Sequence, residues 1–254
     1  MGKRVRRFFA TLGVDWRRVK RSLCGIPAFF RDARNYRRQA TDGDLSIRIS
    51  HLYPIFADRY DSAGVGKGHY FNQDLWAARL IYQRQPGRHV DIGSSVNGFV
   101  AHILVFVPRV EVVDIRPLKA KVSNLAFVCD DATTLEKFAD NSLDSLSSLH
   151  AAEHFGLGRY GDPVSPDAHI RFMKSLQRVL QPGGRLYFSV PIGRERLEFN
   201  AHRVLAPETI MSAFDGLKLV SFALVKDDGF MDESATLDDA ARQEFGCGLF
   251  EFTK

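Results

Sequence analysis

From residue 88 onward, short apolar runs alternate with amphipathic stretches, and this alternation admits few architectures. Residues 88–92, 110–115, 125–129, 143–149, 185–190, 217–225 and 246–252 read as strands. Residues 72–84, 98–106, 166–180 and 207–214 read as helices. In 166–180, Ile170, Met173, Leu176, Val179 and Leu180 fall on one face, and Gln181-Pro182-Gly183-Gly184 stops the run. Strands alternating with helices through short connections predict a mostly parallel, Rossmann-like α/β sheet of seven strands. The last two strands lack a helix between them, which predicts an antiparallel pair at one edge.

Three predicted strands end in acids. In VDIGSSVNG, Asp91 closes the first strand and Gly93 lets the backbone approach a ligand. Gly98 permits close helix packing or a positive φ, and Asn97 tolerates the left-handed region. Asp114 closes the second strand, where a carboxylate can accept from ribose hydroxyls. Asp130 and Asp131 close the third, within reach of an adenine amino group. In an open α/β sheet these strand ends face the ligand crevice. A glycine turn followed by an acid about 20 residues on also suits NAD. However, the loop is DxGxxxxG rather than GxGxxG, which favours a nucleoside cofactor without a pyrophosphate.

The run FVCDDATTLEKFADNSLDSLSSLHAAE (127–153) and the segment RVLQPGGRL (178–186) resemble the corresponding parts of class I S-adenosylmethionine-dependent methyltransferases. The resemblance covers about 88–225 in order. More narrowly, HLYPIFADRY, AGVGKGHYFNQ, HAAEHFGLGRYGDP, PIGRERLEFNAH and GCGLFEF resemble a family of unknown function within that superfamily. Its members are expected around surface-polysaccharide and lipopolysaccharide assembly. The resemblance implies S-adenosylmethionine as cofactor. Asp91, Gly93 and Ser94 would lie at its methionine end, Asp114 and Ile115 at ribose, and Asp130 and Asp131 at adenine, with His150 beside the methyl. Ser95 and Asn97 stand where the commonest methyltransferase loop has glycines.

Methyl transfer to a hydroxyl needs an oriented acceptor and a base. The fourth strand runs into His150-Ala151-Ala152-Glu153-His154, and histidine is the natural base near neutral pH. His202, His150, Glu153 and His154 are therefore the catalytic candidates. The polar segment 193–203 supplies Arg194, Arg196 and Asn200 for a polar acceptor such as a sugar or sugar phosphate. The glycine-rich segment 64–68 leads into Lys67, His69 and Tyr70, which could cover the pocket. No metal site is expected, because the histidine spacing is not HExxH. The expected reaction is O-methylation of a glycan or lipid-linked saccharide. The rival from another class is a non-catalytic methyltransferase-like scaffold.

Charge settles what the basic pI leaves open. Residues 1–40 carry 12 Lys/Arg against 2 Asp, and residues 41–254 carry 23 Lys/Arg against 28 Asp/Glu. A net +10 arm is attached to a net −5 body, which argues against a nucleic-acid-binding domain. The expected organisation is a basic arm (1–40), a cap and lead-in helix (41–86) and a methyltransferase domain (87–254). Phe8, Phe9, Leu12, Val14, Trp16, Val19 and Leu23 lie among the arm's cations, as in a helix resting on an anionic membrane. Gly13, Gly25 and Pro27 are expected to break it into short pieces. With no 18-residue apolar run and three scattered cysteines, the expected location is cytoplasmic, with peripheral membrane contact through the arm. Cys129 and Cys247 are expected as small buried hydrophobes.

Overall fold

A computed structural model describes residues 13–254. Phe8, Phe9 and Leu12 of the arm lie outside the described residues. The chain divides at Val65/Gly66 into two units.

In the first unit, α1 (Trp16–Gln39) is one helix. Asp15 caps it, accepting from the backbone N–H groups of Arg17 and Arg18. Gly25 and Pro27 do not break it. Residues 56–61 brace α1 on both sides of Pro27. Phe29 packs edge-on to Phe56, Tyr60 Oη–H donates to the Cys24 carbonyl, and Arg21 and Arg59 pair with Asp61 and Asp32. Gly25 lies so close under the Phe56 carbonyl that no Cβ fits there. Among the described residues, no helix is long and apolar enough to cross a membrane.

The second unit opens with α2 (His69–Arg84). Its sheet contains β1 (His89–Ile92), β2 (Val110–Asp114), β3 (Leu125–Cys129), β4 (Leu143–Leu149), β5 (Leu180–Ile192), β8 (Lys218–Val225), β9 (Met231–Asp232) and β10 (Gly246–Thr253). The spatial order is β3-β2-β1-β4-β5-β10-β8-β9. The pairings from β3 through β5 are parallel. β10 is antiparallel to both β5 and β8, and β9 is antiparallel to β8 at the edge. The fold is thus Rossmann-like and methyltransferase-like. It has one strand more than the expected seven, the two-residue β9. A separate hairpin joins β6 (Arg196–Glu198) and β7 (His202–Val204).

Period-two alternation distributes the strand side chains between two cores. Val90, Ile92, Leu186, Phe188 and Val190 pack toward α4 (Ala168–Val179) and α5 (Pro207–Ala213). Val110, Val112 and Tyr187 pack on the opposite face with Trp76, Ala77 and Ile81 of α2. On α4, Phe172, Met173, Leu176 and Val179 are fully buried, and truncating any of the first three to Ala should cost about 2–5 kcal/mol. The helix expected at 98–106 is reduced to a π-turn, Val96–Val100, followed by the short α3 (Ala101–Ile103). α6 (Leu237–Ala241) lies in the segment between β9 and β10. The strand order reverses across β1 and β4, so their carboxyl ends open the crevice that holds the site.

Candidate functional site

Asp91 shapes the first turn from behind. It is fully buried; Ser147 and Ser94 hydroxyls donate to Oδ1 at 2.6 and 2.8 Å, and the Ser94 N–H donates to Oδ2. Burial pushes its pKa up to about 6 against these hydrogen bonds. Gly93 has φ +82°, and a Cβ there would come within 2.9 Å of Ala151 Cβ. Gly98 has φ −108° and lies against Asp74 instead. Asn97 is not left-handed either.

A hollow lies beyond this turn. Gly93, Asp114, Ile115, Asp130 and His150 line it, together with Arg116 and Tyr160. A second hollow continues past Ser94 and Asn97 and shares Gly93, Arg116 and His150. Burial alone would raise Asp114, but Arg116 outweighs it and holds the carboxyl below its ordinary value. Asp131 turns away, its carboxylate accepting from the Thr133 N–H and hydroxyl, and it does not line the hollow.

The end of β4 is strained into place. His150 has φ +52°, the left-handed region that a β-substituted residue enters at a cost of about 1–3 kcal/mol. Its N–H donates to the Ser189 carbonyl (2.9 Å) and lies 3.2 Å from Ser189 Oγ. Ser189 Oγ–H in turn donates to buried Gln73 at 2.7 Å. The backbone thereby directs the imidazole between two partners. Nδ1 meets Glu153 Oε1 at 2.6 Å, and Nε2 meets His69 Nδ1 at 3.1 Å. Burial opposes charge on His150, but Cys247 and Glu153 overcome it and hold the group well above the ordinary imidazole value. His69 moves the other way, to about 4, through burial and the neighbouring His150.

A polar cavity lies on the other side of His150. His69, Tyr70, Glu153, His154, Arg159 and His202 line it, with Phe245. His154 Nδ1–H donates to the Ala201 carbonyl at 2.7 Å. His202 stands on β7 with its ring 5.0 Å from that of Phe245. Its Nε2 has no hydrogen-bond partner among the described residues and lies 3.8 Å from Glu198 Oε2. Burial lowers its pKa.

The fold therefore gathers His150, Glu153, His154, His202, His69 and Tyr70 around one cavity. It does not bring in Lys67, Arg194, Arg196 or Asn200. Lys67 Nζ sits over the Phe230 ring at 5.6 Å. Arg194 lies 4.0 Å from Glu244, and Arg196 bonds Glu198 and the Glu244 carbonyl. Asn200 takes φ +62° in the β6–β7 turn. Arg194 and Arg196 thus engage protein groups where the sequence suggested a loop open to ligand. Cys129 is exposed rather than buried, because the outer strand β3 is only partly covered. Sequence reasoning missed Arg116, Arg159, Tyr160 and Phe245 as lining groups. Arg159 and Tyr160 do lie within HAAEHFGLGRYGDP, and Arg116 stands two residues after Asp114. The sequence spacing offered no metal ligands, yet ligand atoms of His69, His150 and Cys247 all lie within 4.8 Å of one another.

A family model described as "Caenorhabditis protein of unknown function, DUF268" matches residues 85–243. No curated protein sequence matches the chain. Solved structures sharing the fold include the N-methyltransferase NodS from Bradyrhizobium japonicum WM9, in complex with S-adenosylhomocysteine. It is 15% identical with a TM-score of 0.51, covering 74% of this chain and 88% of NodS. Another is the Burkholderia thailandensis 1,6-didemethyltoxoflavin-N1-methyltransferase, with bound 1,6-didemethyltoxoflavin and S-adenosylhomocysteine (15% identity, TM-score 0.51, 72% and 78% covered). A third is the [4+2]-cyclase SpnF (12%, 0.53, 76% and 85%). At these identities the likeness establishes the fold.

Proposed function

The chain belongs to the DUF268 family of proteins of unknown function, and from that premise we propose that it is an S-adenosylmethionine-dependent methyltransferase acting on a hydroxyl of a saccharide or glycolipid. One observation carries the reading. His150 and His154 line both the strand-end hollow and the cavity that holds His202. Two ligand spaces thus meet at the carboxyl end of β4.

The residues present fit the cofactor. Gly93 brings backbone against the hollow without a Cβ, Ile115, Ala132 and Phe155 supply apolar wall, and Asp114 and Asp130 supply acceptors. When bound, S-adenosylmethionine supplies an electrophilic sulfonium methyl. Arg159 and Tyr70 can orient acceptor oxygens by hydrogen bonds. His202 Nε2, whose pKa burial lowers and which has no hydrogen-bond partner among the described residues, takes the hydroxyl proton. Glu198 is placed to stabilise the imidazolium that results.

The first unit suits a role in location. Trp16, Leu23 and Phe30 recur every seven residues on α1 and are 45%, 62% and 63% exposed among Arg and Lys. That pattern favours contact with an anionic membrane surface.

A second reading, a methyltransferase-like scaffold without activity, is favoured by the engagement of Asp114 with Arg116. Calorimetric titration with S-adenosylhomocysteine separates the two. Binding that depends on Asp114 supports the enzyme, and no heat at millimolar ligand supports the scaffold. Transfer of labelled methyl from S-adenosylmethionine into a glycolipid extract tests the acceptor class.

A further inference from the structure

We propose that His69 Nδ1, His150 Nε2 and Cys247 Sγ form a binding site for one divalent cation of the zinc class, at the edge of the histidine-lined cavity. The three residues are the first of α2, the strained residue after β4 and the second of β10. Their ligand atoms all lie within 4.8 Å of one another. Two imidazole nitrogens on one tetrahedral zinc stand about 3.3 Å apart, and nitrogen and sulfur about 3.6 Å. The histidine pair is already at 3.1 Å, and the thiol, within 4.8 Å of both nitrogens, needs to close by at most about 1.2 Å.

Hydrogen-bond accounting points the same way. His150 Nδ1 is tied to the Glu153 carboxylate at 2.6 Å, and His69 Nε2 to the Phe245 carbonyl at 3.1 Å. A carboxylate and a carbonyl only accept, so both of those nitrogens carry the proton. In the neutral rings the two facing nitrogens are therefore both lone pairs. Two lone pairs at hydrogen-bond distance must share a proton or a cation. The outer partners are those that orient metal-bound histidines: a carboxylate on one ring, a backbone carbonyl on the other. The buried thiol stands beside this pair, and as thiolate it completes a ligand set suited to zinc rather than to magnesium or calcium. Binding releases the thiol proton to solvent.

His69 and His150 both line the cavity that contains His202 and Arg159. A fourth ligand can therefore come from that cavity, as in zinc sites that keep one open position. The site stands on its own ligand geometry and does not depend on the cofactor reading.

The test uses the full chain, stripped by chelator and titrated with Co²⁺ and then Zn²⁺. The expected result is one cobalt per chain with a thiolate-to-cobalt absorption band in the near ultraviolet, displaced by one equivalent of zinc. Cys247→Ser should abolish the band, and His69→Gln should weaken zinc at least tenfold. Glu153→Gln, which keeps all three ligands, should weaken it about 10–100-fold. Circular dichroism and thermal melts check that each variant folds, and the wild-type spectrum decides if none does. No thiolate band in the wild-type chain overturns the site. So does a band that survives Cys247→Ser, since it would arise at the exposed Cys24 or Cys129.

Discussion

Arg116 holds the Asp114 carboxylate with three donors: its backbone N–H at 2.8 Å, Nε at 2.9 Å and Nη2 at 2.6 Å. The guanidinium also lies 4.5 Å above the Tyr160 ring, inside the strand-end hollow. An acid that would meet a ribose is thus already engaged by a cation two residues away. A bound nucleoside must share that carboxylate or displace the Arg116 side chain. Asp114→Ala should weaken S-adenosylhomocysteine about 10-fold or more, the worth of hydrogen bonds to a charged group. Arg116→Ala should strengthen it by freeing the acceptor. Calorimetry on both variants checks the pair, and equal weakening by both would show Arg116 to be a ligand group rather than a competitor.

His202→Gln should lower methyl transfer into a glycolipid extract by about 10²–10⁴-fold, the range for loss of a general base. S-adenosylhomocysteine affinity should not change, because His202 lines the cavity beyond His150 and not the hollow. Transfer of labelled methyl and calorimetry are read side by side. A loss of cofactor affinity would mean that the two spaces are not separate.

His89 gives the fold a pH dependence of known sign. It is fully buried, its nitrogens 2.7 and 2.9 Å from the Ser145 and Ser147 hydroxyls. Burial lowers its pKa from 6.5 to about 3. Between those values the unfolded chain binds the proton and the folded chain does not, so stability rises with pH and is lost as pH falls. By pH 5 the loss from this group is about 2 kcal/mol. His169, lowered to about 4, has the same sign. Asp91, raised to about 6 from 3.8, has the opposite sign over its own window. The His89 contribution is therefore read as a difference. Urea midpoints at pH 7.5 and 5 should separate less in His89→Gln than in the wild-type chain.

The exposed stripe of α1 predicts partitioning onto vesicles that contain anionic lipid. Leu23→Ser with Phe30→Ser should reduce it about 10-fold or more, given about 25 cal/mol per Å² of apolar surface. Sedimentation with neutral and anionic vesicles measures it. Equal partitioning of variant and wild type would remove the stripe as a membrane contact.

Much of the central fold was legible because burial imposes a period on the sequence. Strands β1 to β4 lie within one residue of the ranges expected from apolar runs, and α4 within two residues of its own. Less legible was 98–106, where an apolar helix-like run is interrupted by Gly98 at φ −108°. α1 was misjudged in the other direction, since contacts from 56–61 carry the helix through Gly25 and Pro27. The polar segment 193–203 read as an open loop, but its arginines bond protein groups: Arg194 and Arg196 meet Glu244, and Arg203 the Phe155 carbonyl. Local composition does not say whether a charge faces ligand or neighbour.

By itself the sequence determined the parallel sheet, the acids at its strand ends and the split between a basic arm and an acidic body. Each is a local property: periodicity, a residue at a strand terminus, a count of charges. Only the tertiary structure decided which groups meet. It turned Asp91 inward, engaged Asp114 with Arg116, and removed Lys67 and Arg194 from the cavity. It also brought together His69, His150 and Cys247, which are 81 and 97 residues apart in the chain. Such a cluster leaves no spacing signature, because strand order and the strained backbone at His150 create it.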